Sequence, residues 1–145
     1  MRMGVGIVVA LSLVAFAGAA VGQDDPVKAR QQLMKMNNAS ARAAFGMVTG
    51  RTPYDPVAAA AAMNEIASDM EQFVTLFPEG SNGPGSEASD DIWTHFDDFK
   101  ALAAKLNTDA KAAAAAAPNG VDAFKAAFST VNGDCMACHQ KYRAE

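Results

Sequence analysis

Five residues near the C-terminus, Cys135-Met136-Ala137-Cys138-His139, unite the chain's only two cysteines with one of its two histidines. Thiols three residues apart on a helix project from one face, so each can form a thioether with a vinyl group of one haem. His139 lies one turn beyond Cys135, where its imidazole can swing beneath the tethered ring and bind the iron as proximal ligand. The Cys-x-x-Cys-His run therefore reads as a c-type haem attachment site. Two other chemistries use the same residue types. A thioredoxin-like redox pair belongs beside a strand-helix-strand pattern, and no segment here alternates as a strand does. A structural zinc site takes two cysteines and two histidines, but the second histidine, His95, is distant in the sequence and His139 adjoins Cys138 directly.

Attachment of haem to thiols takes place outside the cytoplasm, and the first residues suit that address. Met1 to Gly22 hold one positive residue, Arg2, followed by an uncharged Val/Ala/Leu/Gly run with Ala-x-Ala at residues 15–17 and 17–19. This is the layout of a cleaved secretory signal peptide, leaving residues 23–145 as the mature chain in a bacterial periplasm. The competing reading is an uncleaved anchor, because the run approaches the ~20 residues of a spanning helix; the glycines and small residues favour cleavage, with no stable membrane span after processing. Processing removes one of twelve basic residues and leaves eleven against sixteen acidic ones, a formal charge of −5. A nucleic-acid partner calls for a basic stripe and is excluded. The remaining length suits one domain with one core.

Four segments carry helical periodicity. The first opens at Asp25-Pro26, an N-cap acid followed by proline at the first helical position, and its inward stripe is Val27, Arg30, Met34, Asn37, Ala41, Ala44 and Val48. The second opens on the same device, Asp55-Pro56, and runs through Met63, Ile66, Met70, Phe73, Val74 and Phe77 to Pro78. A Gly/Ser/Pro-rich stretch from Pro78 to Ser89 is the one long loop and the one place for a crossover. The third helix is expected to start at Ser89 or Asp90 and to continue through Ile92, Trp93, Phe96, Phe99, Leu102, Leu106 and Ala110 to Ala117. The fourth carries Val121, Phe124, Phe128, Val131, Cys135, Cys138 and Tyr142 at alternating steps of three and four, so both cysteines fall on the core stripe. Helices of about 20 residues, each roughly 30 Å long, with short links predict an all-α, antiparallel four-helix bundle. Haem c attached to the C-terminal helix then lies in its core.

A haem motif on the last helix of such a bundle resembles the class II cytochromes c, the cytochrome c′ family and its low-spin relatives. The resemblance spans Asp24 to Glu145. It rests on Arg30-Gln31-Gln32-Leu33-Met34-Lys35, Pro53-Tyr54-Asp55, Leu76-Phe77-Pro78, Ile92-Trp93, and Cys135 through His139 followed by Tyr142-Arg143. It implies one covalent haem c, with Met34 at the distal position facing the sixth coordination site. It also implies Arg30 and Gln31 at the haem edge, Arg30 meeting a propionate, and Glu87 as a further haem contact. Arg143 becomes a basic residue modulating the proximal imidazole, and a homodimer is the implied assembly. The bland counterparts are a core methionine and solvated surface arginines.

Outside these positions, His95 reads as a surface or boundary histidine, Met36, Met47, Met63 and Met70 as gap-fillers, and Gly133 as either a close approach to the haem or a tolerated helical glycine. Two functions compete. With Met34 on the iron the protein is a low-spin periplasmic electron carrier working with redox partner proteins. With Met34 near but unbound it is a five-coordinate, high-spin binder of small gases such as NO or CO. The Leu33-Met34-Lys35 context resembles low-spin members and favours the carrier; no second titratable cluster points to an enzyme.

Overall fold

The computed structural model describes residues 25–144; the predicted export segment, 1–22, lies outside the described residues. Five α-helices follow in chain order: α1 (Pro26–Val48), α2 (Pro56–Phe73), α3 (Asp91–Thr94), α4 (Phe96–Ala116) and α5 (Val121–Tyr142). The two Asp-Pro starts form as the sequence requires. Asp25 accepts from the Lys28 amide at 3.1 Å, and Asp55 from the amides of Val57 and Ala58 at 2.8 and 3.1 Å. Each proline stands where a helix amide has no internal partner.

The four long helices run up, down, up, down. Asn107 on α4 donates to Ala67 O on α2, and Lys105 on α4 reaches Asp134 on α5 while Lys141, further along α5, reaches Asp98. The long 74–90 connection therefore begins and ends at one end of the bundle, with no crossover. Phe99, Phe124, Met63, Ile66, Leu76, Ile92 and Val131 are its largest fully buried side chains.

Three details correct the sequence reading. The third helix is broken: His95 leaves helical geometry at φ −127° and ψ 43°, separating the single turn α3 from α4. The break serves two demands at once, because Trp93 Nε1 reaches back to Pro78 O at 3.2 Å while Phe99 turns into the core. Thr94 assists by giving its hydroxyl to Asp91 O, a local bond that competes with helix continuation. Secondly, α2 stops at Phe73 and tightens into a 3-10 turn at Val74–Leu76, leaving Phe77 non-helical before Pro78, as the residue preceding a proline must be. Thirdly, the deepest side chains of α1 are Arg30, Leu33, Ala44 and Met47, with Met34, Asn37, Ala41 and Val48 half-buried. The predicted stripe is displaced because α1 packs against both α2 and α5, which widens its inward arc.

Candidate functional site

The α5 stripe is as predicted. Phe124, Phe128, Val131 and Tyr142 are buried, and Cys135 and Cys138 are half-buried, unpaired thiols packed against the core. Burial, aided by Asp134, holds the Cys135 thiol above its usual range; burial, with Cys135 and Asp98 adding to it, pushes Cys138 up to about 11. Both are neutral thiols at physiological pH. His139 is exposed on the adjacent face of α5. Partial desolvation lowers its pKa, the Arg143 guanidinium lowers it further, and Glu87 opposes them.

Glu87 and Arg143, distant in sequence, meet beside His139. Arg143 Nε and an Nη atom lie 2.8 and 2.7 Å from Glu87 Oε2. Two backbone hydrogen bonds tie the same loop to the end of α5, Ser89 N to Tyr142 O at 2.9 Å and Ala144 N to Glu87 O at 2.8 Å, and together they make an isolated antiparallel bridge between Ala88 and Arg143. The result is an open cleft of about 540 Å³ lined by Glu87, His139, Gln140, Arg143 and Ala144.

On the opposing helix, Arg30 is 6% exposed and therefore no solvated surface charge. Its guanidinium donates to Leu76 O, Ser81 Oγ, Ser81 O and Ser86 Oγ at 3.3, 3.1, 2.7 and 3.4 Å, and lies 4.5 Å above the Phe77 ring centre. All four acceptors are neutral, and desolvation lowers its pKa. A positive charge without a paired carboxylate is thus held at the end of the bundle where α5 terminates. Gln31 is exposed and donates to Gly85 O at 2.9 Å. Met34, one turn further along α1, packs against the same core as both cysteines. Among the described residues three buried side-chain oxygens lack a hydrogen-bond partner, Asn37 Oδ1, Asp69 Oδ2 and Asp134 Oδ2.

Two neutral thiols one turn apart, an imidazole beside them, a thioether facing the shared core and an uncompensated guanidinium form a donor set that fits a c-type haem. His95 is exposed and closes α3, Met47, Met63 and Met70 fill the core, and a Cβ placed on Gly133 meets nothing within 4 Å beyond its own stretch of helix. Sequence reasoning missed the Glu87–Arg143 pair and the serines that hold Arg30, because the loop carrying them has no periodicity. It also missed a cluster on the far side of Cys135, where Lys105 Nζ bridges Asp109 and Asp134 at 2.6 Å each; its only sequence signal is the ordinary Lys105/Asp109 spacing.

The family model described as Cytochrome C′ matches residues 25–143. A cytochrome c-556 of Agrobacterium tumefaciens (strain II Chrys) is 41% identical over 117 residues, 81% of this chain and 95% of that protein. A cytochrome c′ of Pararhodospirillum photometricum is 36% identical over 119 residues, 81% of this chain and 94% of that protein. The solved cytochrome c′ of Rhodopseudomonas palustris superposes with a TM-score of 0.80 at 28% identity, covering 85% of this chain and 98% of that one. With the bundle, the donor set and these matches in agreement, the chain belongs to the cytochrome c′ family and is a c-type cytochrome that binds haem c covalently.

Proposed function

We propose that the protein is a single-haem electron carrier of the periplasm, with Cys135 and Cys138 as the thioether residues, His139 as proximal ligand and Met34 as sixth ligand. The observation that carries this reading is the packing of Met34, on α1, against the core shared by both cysteines on α5. The relatives carry both names, cytochrome c-556 for the 41% identical one and cytochrome c′ for the 36% identical one, so the choice of the carrier rests on Met34 and on the low-spin resemblance of Leu33-Met34-Lys35.

Each residue has a defined task. Cys135 and Cys138 would hold the ring through thioethers, each thiol giving its sulfur to one vinyl carbon and its hydrogen to the neighbouring carbon, with no net change in protons or electrons. When bound, the haem supplies one-electron iron chemistry, whose potential methionine ligation raises. Arg30 offers its unpaired charge to a propionate while keeping the loop in place, and Gln31 stands on the adjoining exposed edge. Arg143, held by Glu87, orients the surroundings of the His139 imidazole and withdraws positive-charge stability from it. The apolar wall of Phe73, Phe77, Phe99 and Tyr142 excludes water.

The test is Met34→Ala in the haem-loaded protein. Wild type is expected to be low-spin and inert to carbon monoxide, and the variant high-spin and reactive with it. A wild-type protein already high-spin and carbon monoxide-binding replaces the carrier with a five-coordinate binder of NO or CO.

A further inference from the structure

The cluster behind the attachment site has no task in the scheme above. Asp134 precedes Cys135 directly, one peptide unit or about 3.8 Å between Cα atoms. Its side chain is only 12% exposed, and Oδ1 accepts from Lys105 Nζ at 2.6 Å. Oδ2 is buried with no protein partner apart from its proximity to Asp109, which takes the other bond of the same ammonium at 2.6 Å. Two carboxyls therefore face one ammonium. With both ionised the group carries a net negative charge in a partly desolvated place; a proton shared by the carboxyls removes it.

We propose that the Asp134–Asp109 pair, gripped by Lys105, is a proton site coupled to the redox state of the attached haem: it takes up a proton from solvent as the iron accepts an electron from its redox partner, and releases it on oxidation. The balance is one electron to iron and one proton to the pair, with no other bond changed. The inference rests on the haem reading above, because the coupling passes through the residue to which the ring is joined.

The sign follows from charge. Oxidation adds one positive charge to the haem, which favours the ionised pair; reduction removes it and favours the protonated pair. A unit charge about 10 Å from another, at an effective dielectric of about 20, shifts such an equilibrium by on the order of tenfold. Burial raises Asp134 above the usual carboxylate range while Lys105 opposes it, and the Asp134 charge already reaches the Cys135 sulfur. Lys105 and Asp109 of α4 are the charged side chains facing Asp134; its contacts among the described residues include no ion pair from α1 or α2. The haem propionates titrate too, so the wild-type profile must be compared with variants that spare them.

The experiment is spectroelectrochemical titration of the haem-loaded protein between about pH 4 and 8. Wild type, Asp134→Asn and Asp109→Asn are compared, with Glu71→Gln, whose partners are Lys111 and Asn107, as an acid control outside the cluster. Covalent haem is first verified by intact mass. The wild-type midpoint should fall with rising pH through the pair's titration. Asp134→Asn should lose that component and, on its alkaline side, show a reduced-to-oxidised ratio about tenfold higher than wild type at fixed potential, 59 mV for one electron. Asp109→Asn should reduce the same component, and Glu71→Gln should leave it intact. Should Asp134→Asn not fold, redox-difference infrared spectroscopy of wild type must show a protonated carboxyl that appears on reduction and diminishes in Asp109→Asn. A haem-bearing Asp134→Asn protein with the wild-type pH dependence, or no redox-linked carboxyl, overturns the proposal alone. A chain without covalent haem overturns it together with the haem reading.

Discussion

The two ends of this bundle are closed by different means. At the end formed by residues 49–55 and 117–120, the links are short and the chemistry is local. Gly50 and Gly120 take positive φ of 72° and 103°, Asp55 caps α2, and one tertiary bond, Tyr54 Oη to Ala117 O at 2.7 Å, fastens the two links. At the other end the 74–90 connection is held by partners far away in the sequence: Arg30 with Ser81 and Ser86, Glu87 with Arg143, Ser89 with Tyr142. The first end needs only that the chain turn. The second, on the function proposed above, presents Met34, the cysteines and His139 to one cofactor, and it uses charged and aromatic side chains to set the path of a loop without intrinsic shape.

The largest break in the comparison removes the cofactor. Replacing both Cys135 and Cys138 by serine should abolish covalent attachment outright, read as loss of the haem increment in the mass of the denatured protein, while the other end stays fastened. Next is Arg30→Ala, which strands the Leu76 and Ser81 carbonyls and removes the cation stacked on Phe77. A loss of about 2 kcal/mol is expected from buried acceptors left unpaired, read from urea unfolding; a change within 0.5 kcal/mol contradicts a clamping role.

At the opposite end, Tyr54→Phe removes one hydrogen bond of ordinary strength, so about 1 kcal/mol should be lost, with the absorption spectrum and midpoint potential unchanged. A changed spectrum demonstrates coupling between the ends.

The smallest effect concerns Asp69 on α2, where burial, with Glu65 adding to it, raises the carboxyl above its ordinary range and Oδ2 has no partner. A carboxyl raised in the fold binds its proton more tightly folded than unfolded. Its stabilising contribution is therefore complete below the unfolded value, about pH 4, and is lost as pH rises through the folded one. Asp69→Asn should accordingly stabilise the protein at pH 7 relative to wild type, with the advantage shrinking towards pH 4. An advantage independent of pH assigns the effect to something other than ionisation.

How much was legible in the sequence follows the same division. The Asp-Pro starts, the α5 stripe and the spacing of Cys135, Cys138 and His139 are short-range features, and helix geometry converts each directly into position. The break at His95 was not legible: Ile92 through Leu106 keeps an apolar pattern across it, and only the tertiary pull of Trp93 towards Pro78 and of Phe99 into the core opens the chain there.

The sequence by itself determined the helices, the haem-attachment chemistry and the face on which both cysteines stand, because those depend on interactions within one or two turns. Tertiary structure alone decided that Arg30 is a buried clamp, that Glu87 and Arg143 form one pair beside His139, and that Lys105 joins Asp109 to Asp134. Each of these depends on where a loop or a neighbouring helix brings residues together, and side-chain charge carries no record of its partner until packing fixes the distance between them.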